Sequence, residues 1–158
     1  MNKKTLTALM IVMLLKLDGS AQSIEPERMV KDFFKTYKSG DKVKAVENLY
    51  EHNEWINENA STIDKVKLTL ATFTDEYVGK FEGYDLLCEK MVNDRVMVFS
   101  YLAYHNRQPF RFVFKFYKPD AHWTIYAFSV NDGVFSELER SCSVEYLEIE
   151  NAVREAEH

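Results

Sequence analysis

Hydrophobic positions along this chain keep a helical period through its first half and change to a period of two near residue 84. Behind Pro26, which a first helical turn tolerates, Met29, Val30, Phe33, Phe34 and Tyr37 recur at steps of three and four, predicting an amphipathic helix. Ser39-Gly40-Asp41 reads as its stop and as the N-cap of a second helix, which carries Val43, Val46, Leu49 and Tyr50 on one side. Ile56, Ala60, Ile63, Val66, Leu70, Phe73 and Tyr77 continue the pattern and predict one long third helix. Its start is blurred by Asn57, Asn59 and Ser61, and Gly79 and Gly83 bracket its end. Alternation then predicts strands at about 84–91, 95–106, 109–118 and 122–130. Asn93-Asp94 suits a tight hairpin turn, and Lys118-Pro119-Asp120-Ala121 suits a turn with proline second. His105-Asn106-Arg107-Gln108 makes the middle connection, so the four strands form an antiparallel meander. The expected class is α+β, with N-terminal helices packed on one face of a curved antiparallel sheet.

The two ends of the chain depart from this pattern. Asn2-Lys3-Lys4 precedes the apolar run from Thr5 to Leu15, whose eleven residues rise ~16 Å as a helix, half of a ~30 Å hydrocarbon core. Gly19-Ser20-Ala21 supplies the small residues of a cleavage site. The expectation is therefore a signal peptide over 1–21, a mature chain from Gln22 without a membrane anchor, and a periplasmic or secreted product. No Cys follows the apolar run before Cys88, which excludes a lipid-modified N-terminal Cys. The folded domain is expected over 22–140. A polar tail or helix follows over 141–158, with Tyr146, Ile149 and Val153 at helical spacing.

Composition narrows the class without naming an activity. The chain is 46% hydrophobic and 28% charged with 5 Gly and 3 Pro, which excludes a disordered or collagen-like protein. Its 14% aromatic content, with 11 Phe and 9 Tyr, favours a β-rich core. The net charge of −5 makes nucleic acid an unsuitable partner, and loss of Lys3, Lys4, Lys16 and Asp18 with the leader takes it to −7. Two cysteines exclude a disulfide framework and a Cys-rich zinc module.

Few residue patterns point to chemistry. Ser39-Gly40-Asp41-Lys42 matches the S-x-x-K pattern of acylating serine enzymes, but S-D-N and K-T-G are absent and helix capping explains the match. His52, His105, His122 and His158 form no H-x-x-x-H or H-E-x-x-H, so neither metal nor cofactor is expected. Asp85 and Glu89 share parity on the first strand; with Tyr84 they are the candidate acid–base groups if burial raises one carboxyl. Tyr84, Trp55, Tyr104 and Tyr126 are aromatic groups with a polar handle that suit either a flat ligand or the core. Cys88 and Cys142, 54 positions apart, admit a bridge or two free thiols, and the position of Cys142 beyond the strands weighs towards the latter.

The third strand holds the sharpest pattern. Phe110, Phe112, Phe114 and Phe116 share one parity and are expected to face the helices, whereas Arg107, Arg111 and Lys115 form a basic stripe on the other. The stripe either pairs with cross-strand carboxylates or grips an anion through Arg111 near Tyr117. Met97, Phe99, Tyr101 and Tyr117 are expected to cover the outer sheet face and support a homodimer.

Beyond element order, Asn53-Glu54-Trp55-Ile56-Asn57-Glu58-Asn59, Gly83-Tyr84, Arg107-Gln108-Pro109-Phe110-Arg111-Phe112 and Phe116-Tyr117-Lys118-Pro119 resemble a small exported bacterial branch of the nuclear-transport-factor-two-like superfamily, the cystatin-like cone. The resemblance covers residues 24–138. It implies a cone-shaped α+β domain, and it brings no catalytic residue with it, because superfamily members include isomerases, dehydratases, hydrolases and pure binding domains. The leading expectation is a non-catalytic exported domain binding a small molecule or a protein. The second is an enzyme working on a small apolar substrate through Glu89 or Asp85 and a tyrosine. For the binding domain, Arg111, Arg107, Tyr117, Trp55 and Tyr104 are the candidate ligand contacts.

Overall fold

The computed structural model describes residues 25–51, 53–55 and 60–143. The expected leader, His52, Ile56, His158 and the helical spacing of Tyr146, Ile149 and Val153 all lie outside the described residues. Helices α1 (Glu25–Lys38), α2 (Lys42–Tyr50) and α3 (Ala60–Ala71) precede strands β1 (Phe81–Val92), β2 (Val96–His105), β3 (Phe110–Tyr117) and β4 (Thr124–Asn131). A further helix, α4, spans 134–143, so the expected domain boundary at 140 falls inside a helix. The sheet is a curved antiparallel meander in the order β1-β2-β3-β4. The fold is α+β, with α1–α3 covering the inner face of the sheet.

Local chemistry sets the joints. Gly40 leaves α1 at φ +100°, and the Asp41 carboxylate accepts the Lys44 amide at 2.9 Å to start α2. Asn93 and Asp94 take φ values of 48° and 52°, a left-handed pair within the three-residue turn that joins Val92 to Val96. The third helix is shorter than its apolar spacing suggests. It ends at Ala71 because threonines take over the backbone: Thr72 Oγ1 donates to the Thr69 carbonyl at 2.7 Å, and Thr74 Oγ1 accepts the Tyr77 amide at 3.2 Å. Phe73 and Val78 remain buried across that turn, but Tyr77 is exposed.

The core is an interlocked aromatic cluster. Phe110, Phe112, Phe114 and Phe116 are all buried, as their parity predicts. Phe33 of α1 packs its ring 5.1 Å from Phe114 and 5.0 Å from Phe128, and Phe34 stacks on Tyr84 at 3.8 Å and 9°. Such ring pairs add to the burial of apolar area. Side chains therefore fill the space between helices and sheet.

The register corrects the expected outer face. Met97, Phe99 and Tyr101 pair with Phe116, Phe114 and Phe112, so they belong to the inner face and are buried; of the four residues assigned outside, only Tyr117 is there. Parity fixed the β3 face but not the face of its neighbour, because alternating apolar residues occur on both sides of β2. Val96, Val98 and Leu102 are its apolar outward positions.

Candidate functional site

Both tryptophans of the chain line one surface groove. A groove of about 340 Å³ is lined by Glu25, Glu54, Trp55, Pro119, Asp120, His122, Trp123 and Thr124. It adjoins a larger depression of about 680 Å³ along α1, with which it shares Glu25 and Trp123, and where Arg28, Asp32, Lys35 and Glu51 mix both charges.

Long-range hydrogen bonds hold both walls. On the segment after α2, buried Asn53 donates Nδ2 to the Ile125 carbonyl at 2.6 Å and accepts the Trp55 amide on Oδ1 at 2.8 Å. A buried amide is thus spent on presenting a tryptophan that remains 59% exposed. On the β3–β4 turn, Arg95 donates Nη1 to the Pro119 carbonyl at 3.0 Å, and the Arg95 carbonyl accepts the Lys118 amide at 2.9 Å. Asp120 Oδ1 accepts the His122 amide at 3.1 Å, and the amides of His122 and Ala121 hold its carboxyl below the usual range. Trp123 is half-buried against the core, with the Lys118 ammonium 5.8 Å from its ring centre.

The residues proposed from sequence do not converge on one site. Asp85 and Glu89 lie on opposite faces, against their shared parity, because a β-bulge between Leu86 and Cys88 inserts one residue and reverses the alternation. Asp85 points outward opposite Leu102 and accepts the Tyr104 hydroxyl, so these two candidates occupy each other. That bond raises the Tyr104 hydroxyl above its ordinary value. Glu89 lies on the inner face opposite Phe99 and is exposed, beyond the cover of the helices. Its neighbour Tyr101 is pushed up to about 12, chiefly by burial, with smaller contributions from Tyr84, Glu27 and Glu89. Tyr84 is held flat against Phe34. The grooves at the tryptophans lie elsewhere.

The basic stripe also breaks up. Arg107 belongs to the β2–β3 connection and donates to the Glu76 carbonyl. Arg111 does hold a carboxylate with its guanidinium fork, but that carboxylate is Glu137 of α4 rather than a cross-strand partner. Tyr117 is six residues further along β3, ~20 Å away at strand rise, so it shares no site with Arg111. It lies instead on an apolar hollow of about 330 Å³ with Val96, Val98 and Tyr126. Tyr126 is the extra residue where the β3–β4 register shifts, and it is exposed. Cys88 and Cys142 are both free and exposed. Among the described residues, no three His, Cys, Asp or Glu stand close enough to hold a metal ion, and no helix is long and apolar enough to cross a membrane.

Of the sequence candidates, Trp55 alone lies in the groove. Trp123, His122, Asp120 and Glu54 were not anticipated. The one available signal was that the second tryptophan lies three residues beyond Asp120 of the Pro-Asp turn. No match to the chain is found among protein-family models, curated proteins or solved structures.

Proposed function

We propose that this chain is an exported, non-catalytic binding domain of the nuclear-transport-factor-two-like kind, and that it binds through the groove of Trp55 and Trp123. The observation that carries the reading is Trp55 itself. An indole 59% exposed and held by a buried asparagine leaves uncovered a large apolar face that a ligand would bury. The aromatic filling of the core supports the same reading, since a substrate-sized chamber between helices and sheet would need Phe33, Phe34 or Phe114 to withdraw. Glu89, the carboxylate that an acid–base mechanism would use, is exposed on an uncovered part of the sheet and lacks the enclosure that raises a catalytic carboxyl.

Both tryptophans line the groove, so intrinsic fluorescence reports on it. A screen of neutral, anionic and cationic metabolites and short peptides should yield ligands that change tryptophan emission saturably and lose that effect in Trp55→Ala. Ligands that act equally on Trp55→Ala and Trp123→Phe would place binding elsewhere. Export rests on the basic start, apolar run and small residues of 1–21. Intact mass of the secreted product should correspond to a chain beginning at Gln22.

A further inference from the structure

We infer that the groove lined by Trp55 and Trp123 takes an organic cation, a guanidinium or alkylammonium group carried by a free amine or by a basic peptide. The inference rests on the binding reading above and adds the chemistry of the ligand. Apart from His122, the ionisable side chains lining the smaller groove are all carboxylates: Glu25, Glu54 and Asp120. The backbone amides of His122 and Ala121 lower the Asp120 carboxyl below its usual range and so favour its charged form. Lys118 beside the groove and Arg95, whose guanidinium donates to the Pro119 carbonyl on its wall, offset two of the three, leaving one negative charge in excess.

The aromatic groups point the same way. The negative face of an indole attracts cations, and Trp123 already takes the Lys118 ammonium at 5.8 Å. Trp55 is more exposed and has no such cation among the described residues. An anion would be repelled by the net negative charge of the wall, and a neutral sugar would stack on indole without compensating that charge. A metal ion is disfavoured because the acids are not clustered closely enough to ligate one. Planar guanidinium answers both features at once, stacking on indole while its edge donates to carboxylate.

The test is a tryptophan-fluorescence titration of the full chain with agmatine and with a tetra-arginine peptide, using maltose and citrate as neutral and anionic probes. The expected result is saturable quenching by at least one cation, weakened roughly tenfold or more in Trp55→Ala and by several-fold in the double variant Glu54→Gln, Asp120→Asn. Raising salt should weaken it further. A response to tetra-arginine but not agmatine assigns the cation to a peptide; the reverse assigns it to a small amine. Quenching that survives unchanged in the carboxylate double variant, or no saturable response to either cation, overturns the inference. A maltose or citrate response abolished by Trp55→Ala, without any cation response, would overturn the cation and keep the groove as a binding site. Absence of every Trp55-dependent response would overturn both. All these variants change exposed side chains, and an unchanged melt verifies that each is folded.

Discussion

His105 is a buried histidine between Phe73, Phe81 and Phe110, with its Nε2 2.8 Å from the Tyr37 hydroxyl and its Nδ1 unpartnered. Burial first, and then the Lys42 charge, lower its pKa to about 4. The sign of the consequence follows from linkage. Between about 6.5 and about 4 the unfolded chain binds a proton that the folded chain does not. Stability should therefore be unaffected by this group above that window, fall as pH drops through it, and level off below. The loss is of order 2 kcal/mol. Urea midpoints for wild type and His105→Phe at pH 7 and pH 4.5 isolate it, since the variant should lose less on acidification; equal losses would clear His105 of the role. Gly79 is the second decisive residue. It takes φ +87°, and a Cβ there would come within 2.8 Å of the Arg107 amide nitrogen and 2.9 Å of that of Asn106. Gly79→Ala should cost about 1–3 kcal/mol, read as a lowered unfolding midpoint. A midpoint equal to that of wild type would mean the β2–β3 connection can retreat.

Helix α4 is attached to the sheet chiefly by what the strands offer it. Val134 is buried at its start, and Arg111 reaches from the outer face of β3 to Glu137 with both ends of its fork. The arginine side chain is only 24% exposed and the glutamate 48%, so the pair is partly shielded. Arg111→Gln and Glu137→Gln should each cost about 1 kcal/mol. The double variant should cost little more than either alone, because both remove the same interaction. Strictly additive losses in denaturant melts would show that the two residues act separately. Strand β1 illustrates a different problem. It is a twelve-residue edge strand with Leu86, Leu87 and Met91 exposed, a form that invites pairing with another chain. Its two register shifts, at Glu82 and Leu87, interrupt the ladder and twist the edge, which hinders such pairing.

The outer sheet face carries a cross-strand apolar row. Val92 pairs with Val96 and Val96 with Tyr117, and exposed Tyr126 lies beside them around the hollow. This row, rather than Met97, Phe99 and Tyr101, is the surface through which a second copy would pack. The expected outcome is a dimer mass by light scattering at tens of micromolar, reverting to monomer in Val96→Asp with the fold retained. A monomer mass for wild type at that concentration would count against the interface. The tryptophan groove is lined from α1, the segment after α2 and the β3–β4 turn, and shares no residue with this hollow. Ligand binding should therefore be the same in wild type and in Val96→Asp.

Period and capping chemistry determined much of this protein directly. The first two helices, the four strands, the Asn93-Asp94 turn and the inward face of Phe110 to Phe116 all follow from residue spacing. They do so because local backbone preference and burial of one face point to the same answer. Three things were decided only in the folded chain. The bulge at Leu87 put Asp85 and Glu89 on opposite faces, since one inserted residue reverses every later side chain while leaving the sequence alternation looking intact. Arg111 found its carboxylate on α4, 26 positions away, and a charge pattern does not specify which of many acids will be adjacent. The groove unites Trp55 with Trp123 because Asn53 reaches 72 positions along the chain to the Ile125 carbonyl. Contacts of that range depend on how the helices pack across the whole sheet, and no local pattern of residues encodes them.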